Sequence, residues 1–515
     1  MRDAKVNHPQ SDDLNISSYS TTTKLNHLKM PNIIDEMEED KALPNIQKQK
    51  IPSKEKLLLP LEHENVLNKL LSEIKPIDFY EKADLLPGER LSKQNVVVIS
   101  IDAILEFAYL NNWFLRVEKE KVSIYNGAYW KELEREDIKH FLTKAAELLG
   151  YDTLKVRYHQ FAEDLMKQFL VSSYSPKKLK VKDQILINFQ NGTLVINAKG
   201  EYMFKDFDPS DLLYYQLGFC FDANAKTDLF DKFLDRVLVD KADQMILAEY
   251  AGYIFIKTKT LKLEKSLILY GTGANGKSTF FEILYALLGH ENITTFSLQS
   301  LTNETGYQRA QIQNKLLNYA SEISVKMDST VFKQLSSGEP VEVRLPYGNP
   351  YIIEDYAKLI FNTNELPRDV EHNPAFFRRF IILGFDQTIP EGERDPELAK
   401  KIIESELPGI LNWVIFGMQR LITQKGFTFS EKANKAIEDY KNQSDTVALM
   451  VTEMGNQPGF DKMIPLKQYY QAYKEFCLDY GHKPVGYMKF VDRIRRLGFE
   501  LTRKSNYNYL NYKLV

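Results

Sequence analysis

The stretch that most narrows the fold is residues 267–288, L-I-L-Y-G-T-G-A-N-G-K-S-T-F-F-E-I-L-Y-A-L-L. It reads as an apolar strand, a glycine-rich turn and a helix carrying Ile283, Leu284, Leu287 and Leu288 on one face. Gly271, Gly276, Lys277 and Ser278 fit the spacing G-x-x-x-x-G-K-[ST]. Glycines let backbone N–H groups close around a phosphate, and the N-terminus of the next helix adds its positive dipole end. The turn Gly271, Thr272, Gly273, Ala274, Asn275, Gly276, Lys277, Ser278 and Thr279 is thus expected to hold a nucleoside triphosphate. Lys277 would reach the β/γ-phosphates and the Ser278 hydroxyl would ligate Mg²⁺.

At 515 residues the chain is long enough for two to four domains, and 43% hydrophobic residues give it globular character. A net charge of −3 carries no overall basic signature, so any nucleic-acid surface must be local. Two cysteines, Cys220 and Cys477, are too few for a disulfide framework or a cysteine-based zinc site. No apolar run approaches a membrane span and the first residues lack a secretory h-region, which predicts an intracellular soluble chain without a membrane partner.

Residues 1–78 hold a single aromatic residue, Tyr19, and no sustained apolar periodicity, so 1–95 is expected to be a flexible leader with at most a short helix over 62–73. Ordered structure is expected from Val96, with Ser100 capping a helix that ends at Asn111-Asn112. Short alternating runs and two Asn-Gly pairs then predict hairpins in an α+β domain over 96–225. Trp113 and Trp130 read as core residues rather than base-stacking platforms. The basic stretch 177–182 is either a solvated edge strand or a DNA-facing surface. Helical spacing over 228–256 leads into the glycine-turn domain, expected over 226–455.

Two further apolar strands end in polar residues, 315–320 at Ser321-Glu322 and 357–361 at Asn362-Thr363-Asn364. A parallel sheet places such residues beside its ligand. Glu322 is then placed to polarise an attacking water, and Asn364 to hold that water or the γ-phosphate. Arg378-Arg379 precede another apolar strand. A guanidinium can stabilise charge on a transferring γ-phosphoryl group and can come from a neighbouring subunit. At least one of the two is expected to make a structural ion pair.

In this order, the strings L-I-L-Y-G-T-G-A-N-G-K-S-T, N-Y-A-S-E, F-K-Q-L-S-S-G-E-P, I-F-N-T-N-E-L-P and F-F-R-R-F resemble the superfamily 3 helicases. More narrowly they resemble the phage/plasmid primase–helicase family, and Y-N-G-A-Y-W and N-F-Q-N-G-T-L-V-I are similar to the region preceding its helicase domain. The resemblance covers about residues 100–515. It implies a homo-oligomeric ring, a hexamer, with ATP sites between subunits and 3′→5′ movement on single-stranded DNA. It also implies that Lys277 with Ser278 or Thr279 binds ATP and Mg²⁺, that Glu322 is the Walker B acid and a Mg²⁺ ligand, and that Asn364 is sensor 1. Arg378 or Arg379 would be the arginine finger acting in trans. Ser321 stands where many related ATPases have aspartate. Residues 332–351 would hold the family's additional motif and pore hairpin, with Lys333, Arg344 and Tyr347 as candidates to meet DNA.

Residues 461–515 carry 11 Lys/Arg against five Asp/Glu. Two amphipathic helices ended by Gly481 and Gly498, then a two-stranded wing, read as a winged helix able to hold duplex DNA. Lys489, Arg493, Arg496, Arg503 and Lys504 are the expected phosphate contacts. The expected fold class is therefore multidomain α/β, an AAA+-like P-loop ATPase core with an N-terminal α+β domain and a C-terminal winged helix. The expected function is an ATP-dependent replicative DNA helicase of a phage, plasmid, genomic island or virus, in a bacterial cytoplasm or at a site of viral replication. Replication initiator, primase or loader proteins are candidate partners. An origin-binding initiator that uses ATP for assembly, and a primase–helicase, stay open as alternatives.

Overall fold

The computed structural model describes residues 61–86, 88–118, 121–173, 184–321, 323, 327–367, 373–504 and 506–514. The basic stretch 177–182 and Glu322 lie outside them. The described chain is a mixed α/β assembly of several bodies around one parallel sheet.

The first body spans α1 (His63–Glu73), α2 (Phe79–Lys82), α3 (Lys93–Leu110), the sheet β1 (Phe114–Glu118), β2 (Lys121–Tyr125), β3 (Trp130–Leu133), and α4 (Arg135–Leu148), α5 (Thr153–Arg157) and α6 (His159–Ser172). Val66 and Leu70 of α1 and Phe79 of α2 join its apolar core. The leader expected to reach residue 95 is corrected for 61–95: a face of only a few apolar residues suffices to bind α1 to this core. The helix expected to start at Ser100 starts at Lys93, because Ser92 Oγ accepts from Asn95 N at 3.1 Å while Ser100 is buried inside the helix. Trp130 is buried and donates Nε1–H to the Pro209 carbonyl, and Trp113 packs against the same core as α1.

A second antiparallel sheet, β4 (Gln184–Phe189), β5 (Gly192–Asn197) and β6 (Tyr202–Lys205), turns between β4 and β5 at Gln190-Asn191, with Gly192 opening β5. Its inward side chains, Ile185, Ile187, Phe189, Leu194 and Ile196, do not join the first core. They pack with α7 (Leu229–Val237), α8 (Lys241–Tyr253) and the long α14 (Leu398–Gln424). The apolar cores therefore divide between residues 173 and 184 rather than at 225.

The central sheet is wholly parallel. Its strands are β7 (Ser266–Tyr270), β8 (Ile293–Thr294), β9 (Leu317–Ala320), β12 (Lys358–Thr363) and β13 (Phe380–Gly384), in the spatial order β13-β7-β12-β9-β8. Alternation decides the faces: Leu267 and Leu269 point to the core containing α8, α14 and α9 (Lys277–Leu288). Ile268 points to the opposite core, with Phe332 of α12 (Ser329–Ser337) and Phe376 of α13 (Pro374–Phe377). Burial on both faces explains the unbroken apolar run of β7. The small elements α10 (Leu298–Thr302), α11 (Tyr307–Gln311) and the hairpin β10 (Val341–Val343), β11 (Tyr351–Ile353) lie on the second side. Helix α15 (Glu431–Ser444) packs against β13.

The last body has its own core, built from α16 (Thr446–Glu453), α17 (Leu466–Asp479), α18 (Tyr487–Arg496) and the sheet β14 (Asn456–Pro465), β16 (Tyr507–Leu514), β15 (Leu501–Lys504). Gly481 and Gly498, at φ 70° and 89°, follow the two helices as expected. The two strands expected as a wing, β15 and β16, are joined by a third, β14, and α16 contributes Val447 and Met450, so the core of this body begins near residue 445 rather than 461. Among the described residues Cys220 and Cys477 form no disulfide and no helix is long and apolar enough to cross a membrane.

Candidate functional site

The glycine-rich turn leaves β7 at its carboxyl end and enters α9 through Gly276, whose φ of 86° is left-handed. A Cβ on Gly276 would lie 2.6 Å from Val237 Cγ1, and one on Gly271 would lie 2.5 Å from the Phe385 carbonyl. Gly273, at φ 115°, has open space on its Cβ side. The turn is thus closed from behind by α7 and the segment after β13, and open in front. Asn275 Nδ2 donates to Phe385 O at 2.7 Å and Ile389 N donates to Ala274 O at 2.8 Å, which tie the turn to that segment.

Lys277 is buried and folds back, donating to Gly271 O at 2.7 Å and Asn275 Oδ1 at 2.9 Å. Burial holds its ammonium below the ordinary lysine value. An anion in front of the turn would offset that desolvation and draw Nζ out of these bonds. Ser278 and Thr272 are exposed and Thr279 is half-buried. The Ser278 hydroxyl, a hard oxygen donor on the first turn of α9, suits Mg²⁺, which takes most of its other ligands from water and phosphate. No cluster of three or more His, Cys, Asp or Glu side chains able to hold a metal occurs among the described residues.

Parallel register brings the other strand ends to the same edge. Thr363 pairs with Tyr270 and its carbonyl accepts from Gly271 N at 3.2 Å, so Asn364, exposed, emerges directly beside the turn. Ala320 pairs with Phe361, so Ser321 emerges from β9 on the far side of β12, two strands from the turn. Glu322, the next residue, is outside the described residues.

The two arginines part company. Arg379 is 7% exposed, and its guanidinium donates to Ser337 Oγ at 2.9 Å and to the carbonyls of Ala375 and Lys333. It binds α12 to α13. Arg378 is exposed and meets Glu264 at 3.0 Å. Both precede β13, and Arg379 O accepts from Ser266 N, the first residue of β7. They therefore lie at the amino edge of the sheet, roughly 13 Å of strand from the turn at the carboxyl edge. Arg378 cannot serve the site of its own chain.

In the β10–β11 hairpin, Pro346 and Tyr347 occupy the centre of a turn closed by Gly348 N to Leu345 O at 2.9 Å. Tyr347 has φ 60° and a wholly exposed ring, a strained backbone for an aromatic residue at a hairpin tip. Arg344 packs over the Tyr307 ring, and Lys333 is half-buried on α12.

In the last body Lys489, Arg496, Arg503 and Lys504 are exposed. Arg493 is corrected: its guanidinium pairs with Asp445 at 3.0 Å with both side chains nearly buried, and Asp445 also caps α16. That pair closes α18 onto α16 and leaves Arg493 little to offer a phosphate. Reversing charge at Lys489, Arg496 and Lys504 should weaken duplex binding and flatten its salt dependence by about 0.9 log units per lost contact. Arg493→Ala should instead lower the melting temperature. Duplex affinity and salt slope unchanged in the triple variant, measured by fluorescence anisotropy across salt, would assign this body to packing.

Sequence reasoning missed Glu264, and the contacts of Phe385 and Ile389 with the turn. Their partners lie about a hundred residues away along the chain, so no local pattern announces them.

Residues 104–239 match a family model described as D5 N terminal like, and residues 269–379 match a family of unknown function, DUF5906. Solved apo structures of the NrS-1 C terminal region align over 80% of this chain and 98% of theirs. Identity is 12–13% and the TM-scores are 0.43–0.44, too low for the likeness to carry an argument.

Proposed function

We propose that this chain is an ATP-driven DNA helicase of the phage/plasmid primase–helicase type, acting in replication as a ring with its catalytic sites between copies. One observation carries the reading: the glycine turn and Asn364 share one edge of a parallel sheet, while the exposed Arg378 stands at the other edge. A site so divided is complete only where two copies meet. The order β13-β7-β12-β9-β8, with the strand before the turn held between β13 and β12, supports an AAA+-like core. The D5 N terminal like match over 104–239 supports the replication context.

In this reading backbone N–H groups of the turn and Lys277 hold the β- and γ-phosphates of ATP. Ser278, with Glu322, would hold Mg²⁺, which supplies charge neutralisation between those phosphates when bound. Glu322 takes the proton of the attacking water, Asn364 orients that water, and Arg378 of a second copy stabilises charge on the transferring group. The strained tip at Tyr347, with Arg344 behind it, follows one DNA strand, and the last body holds duplex.

Glu322→Gln keeps the side chain's size but cannot take a proton. It should bind ATP normally and hydrolyse it about 10²–10⁴-fold more slowly. Unchanged turnover would move the base to another carboxylate. Displacement of a strand from a forked substrate, dependent on ATP, tests the helicase itself. Origin binding with no displacement would favour an initiator that uses ATP for assembly.

A further inference from the structure

Arg378 is not left to find its own direction. Its Nη2 lies 3.0 Å from Glu264 Oε2, and the same carboxylate meets Lys262 at 3.2 Å and Arg379 at 3.7 Å. Lys262 reaches on to Glu339, which leads into the β10–β11 hairpin, at 3.6 Å. Lys265 donates Nζ–H to the Arg378 carbonyl at 2.6 Å, which pins the backbone as well. Three basic side chains thus meet one carboxylate that is 25% exposed, with a fourth, Lys265, bound to the Arg378 backbone.

Glu264 also stands at φ 56°, a strained backbone for a residue with a side chain, two residues before the first hydrogen bond of β7. Burial alone would raise its carboxyl, and Lys262, Arg379 and Arg378 together outweigh that and leave it below the usual glutamate value. It is an anion at neutral pH. Removing it would leave mutually repelling cations and free the long Arg378 side chain to swing.

We infer that Glu264 is a positioning residue for ATP hydrolysis: it holds the Arg378 guanidinium in the orientation from which it enters the nucleotide site of a second copy of this chain. The inference rests on the reading of Arg378 as a residue supplied across an interface. Glu264 touches no substrate and acts only through the arginine.

The test uses the full-length chain with Glu264→Ala, Glu264→Gln, Glu264→Asp, Arg378→Ala and the double variant Glu264→Ala/Arg378→Ala. Misplacing the guanidinium should lower kcat about 10- to 100-fold in the Ala and Gln variants, with KM for ATP within about twofold of wild type. Asp should recover part of the loss. The double variant should be no slower than Arg378→Ala alone, because both changes remove one interaction. Mixed with Lys277→Ala subunits, which keep an intact arginine, the Glu264→Ala chain should regain activity. Additive losses in the double variant, or no gain on mixing where Arg378→Ala does gain, would overturn the inference. Wild-type kcat in Arg378→Ala would remove the interface reading itself, and Glu264 with it. Gln, nearly isosteric with Glu264, keeps the test decisive if the Ala chain misfolds.

Discussion

Lys277→Ala should abolish ATP hydrolysis and strand displacement together, by at least about 10²–10³-fold, the usual cost of removing one cationic or hydrogen-bonding group from a phosphoryl-transfer site. The ammonium bonds to Gly271 O and Asn275 Oδ1, so the substitution also removes two hydrogen bonds inside the turn. Those bonds contribute roughly 1–3 kcal/mol in all, and alanine is favourable on the first turn of α9, so the fold should survive. Gly271→Ala is the contrasting variant. Its Cβ would meet the Phe385 carbonyl at 2.5 Å and the Asn275 amide at 2.2 Å, so the turn itself must shift. Isothermal titration with a nonhydrolysable ATP analogue, circular dichroism and a phosphate-release assay separate the two. A folded Lys277→Ala chain with near wild-type turnover would rule out this turn as the nucleotide site.

How much of this was legible before the structure depended on distance along the chain. The strand, turn and helix of 267–288 are local, and the buried face Ile283, Leu284, Leu287 and Leu288 is the one the spacing predicts. The Asn-Gly turns between β2 and β3 and between β4 and β5 are equally local. A short helix over 62–73 was legible and α1 spans His63–Glu73, but its face is short and its neighbours polar, so the core it joins was not. The true start of α3 was masked because Val96, Val97 and Val98 read as well as a strand as a helix. The ion pair of Arg493 with Asp445, 48 residues away, and that of Arg378 with Glu264, 114 away, belong to the packed chain alone. Residue type gave the same expectation for Arg378 and Arg379. Burial separates them.

That separation gives the second large effect. Arg379→Ala removes a buried guanidinium that satisfies Ser337 Oγ and the carbonyls of Ala375 and Lys333, so it should destabilise the chain by roughly 2–4 kcal/mol and lower its melting temperature by several degrees. Arg378→Ala removes an exposed side chain whose only ion pair among the described residues is with Glu264, so the melting temperature should hardly move. Its effect should fall on turnover instead, by about 10³-fold or more, the usual worth of an arginine supplied to a transferring phosphoryl group. Because the two edges of the sheet are too far apart for one chain to use both, the lost function should be restorable by another copy. In rings mixed from Arg378→Ala and Lys277→Ala subunits, one kind of interface joins an intact turn to an intact arginine, and activity should exceed that of either variant alone. Demonstrably mixed rings with no such gain would remove the arginine from catalysis. Arg379→Ala should show no gain on mixing, since a lost helix contact cannot be lent by a neighbour.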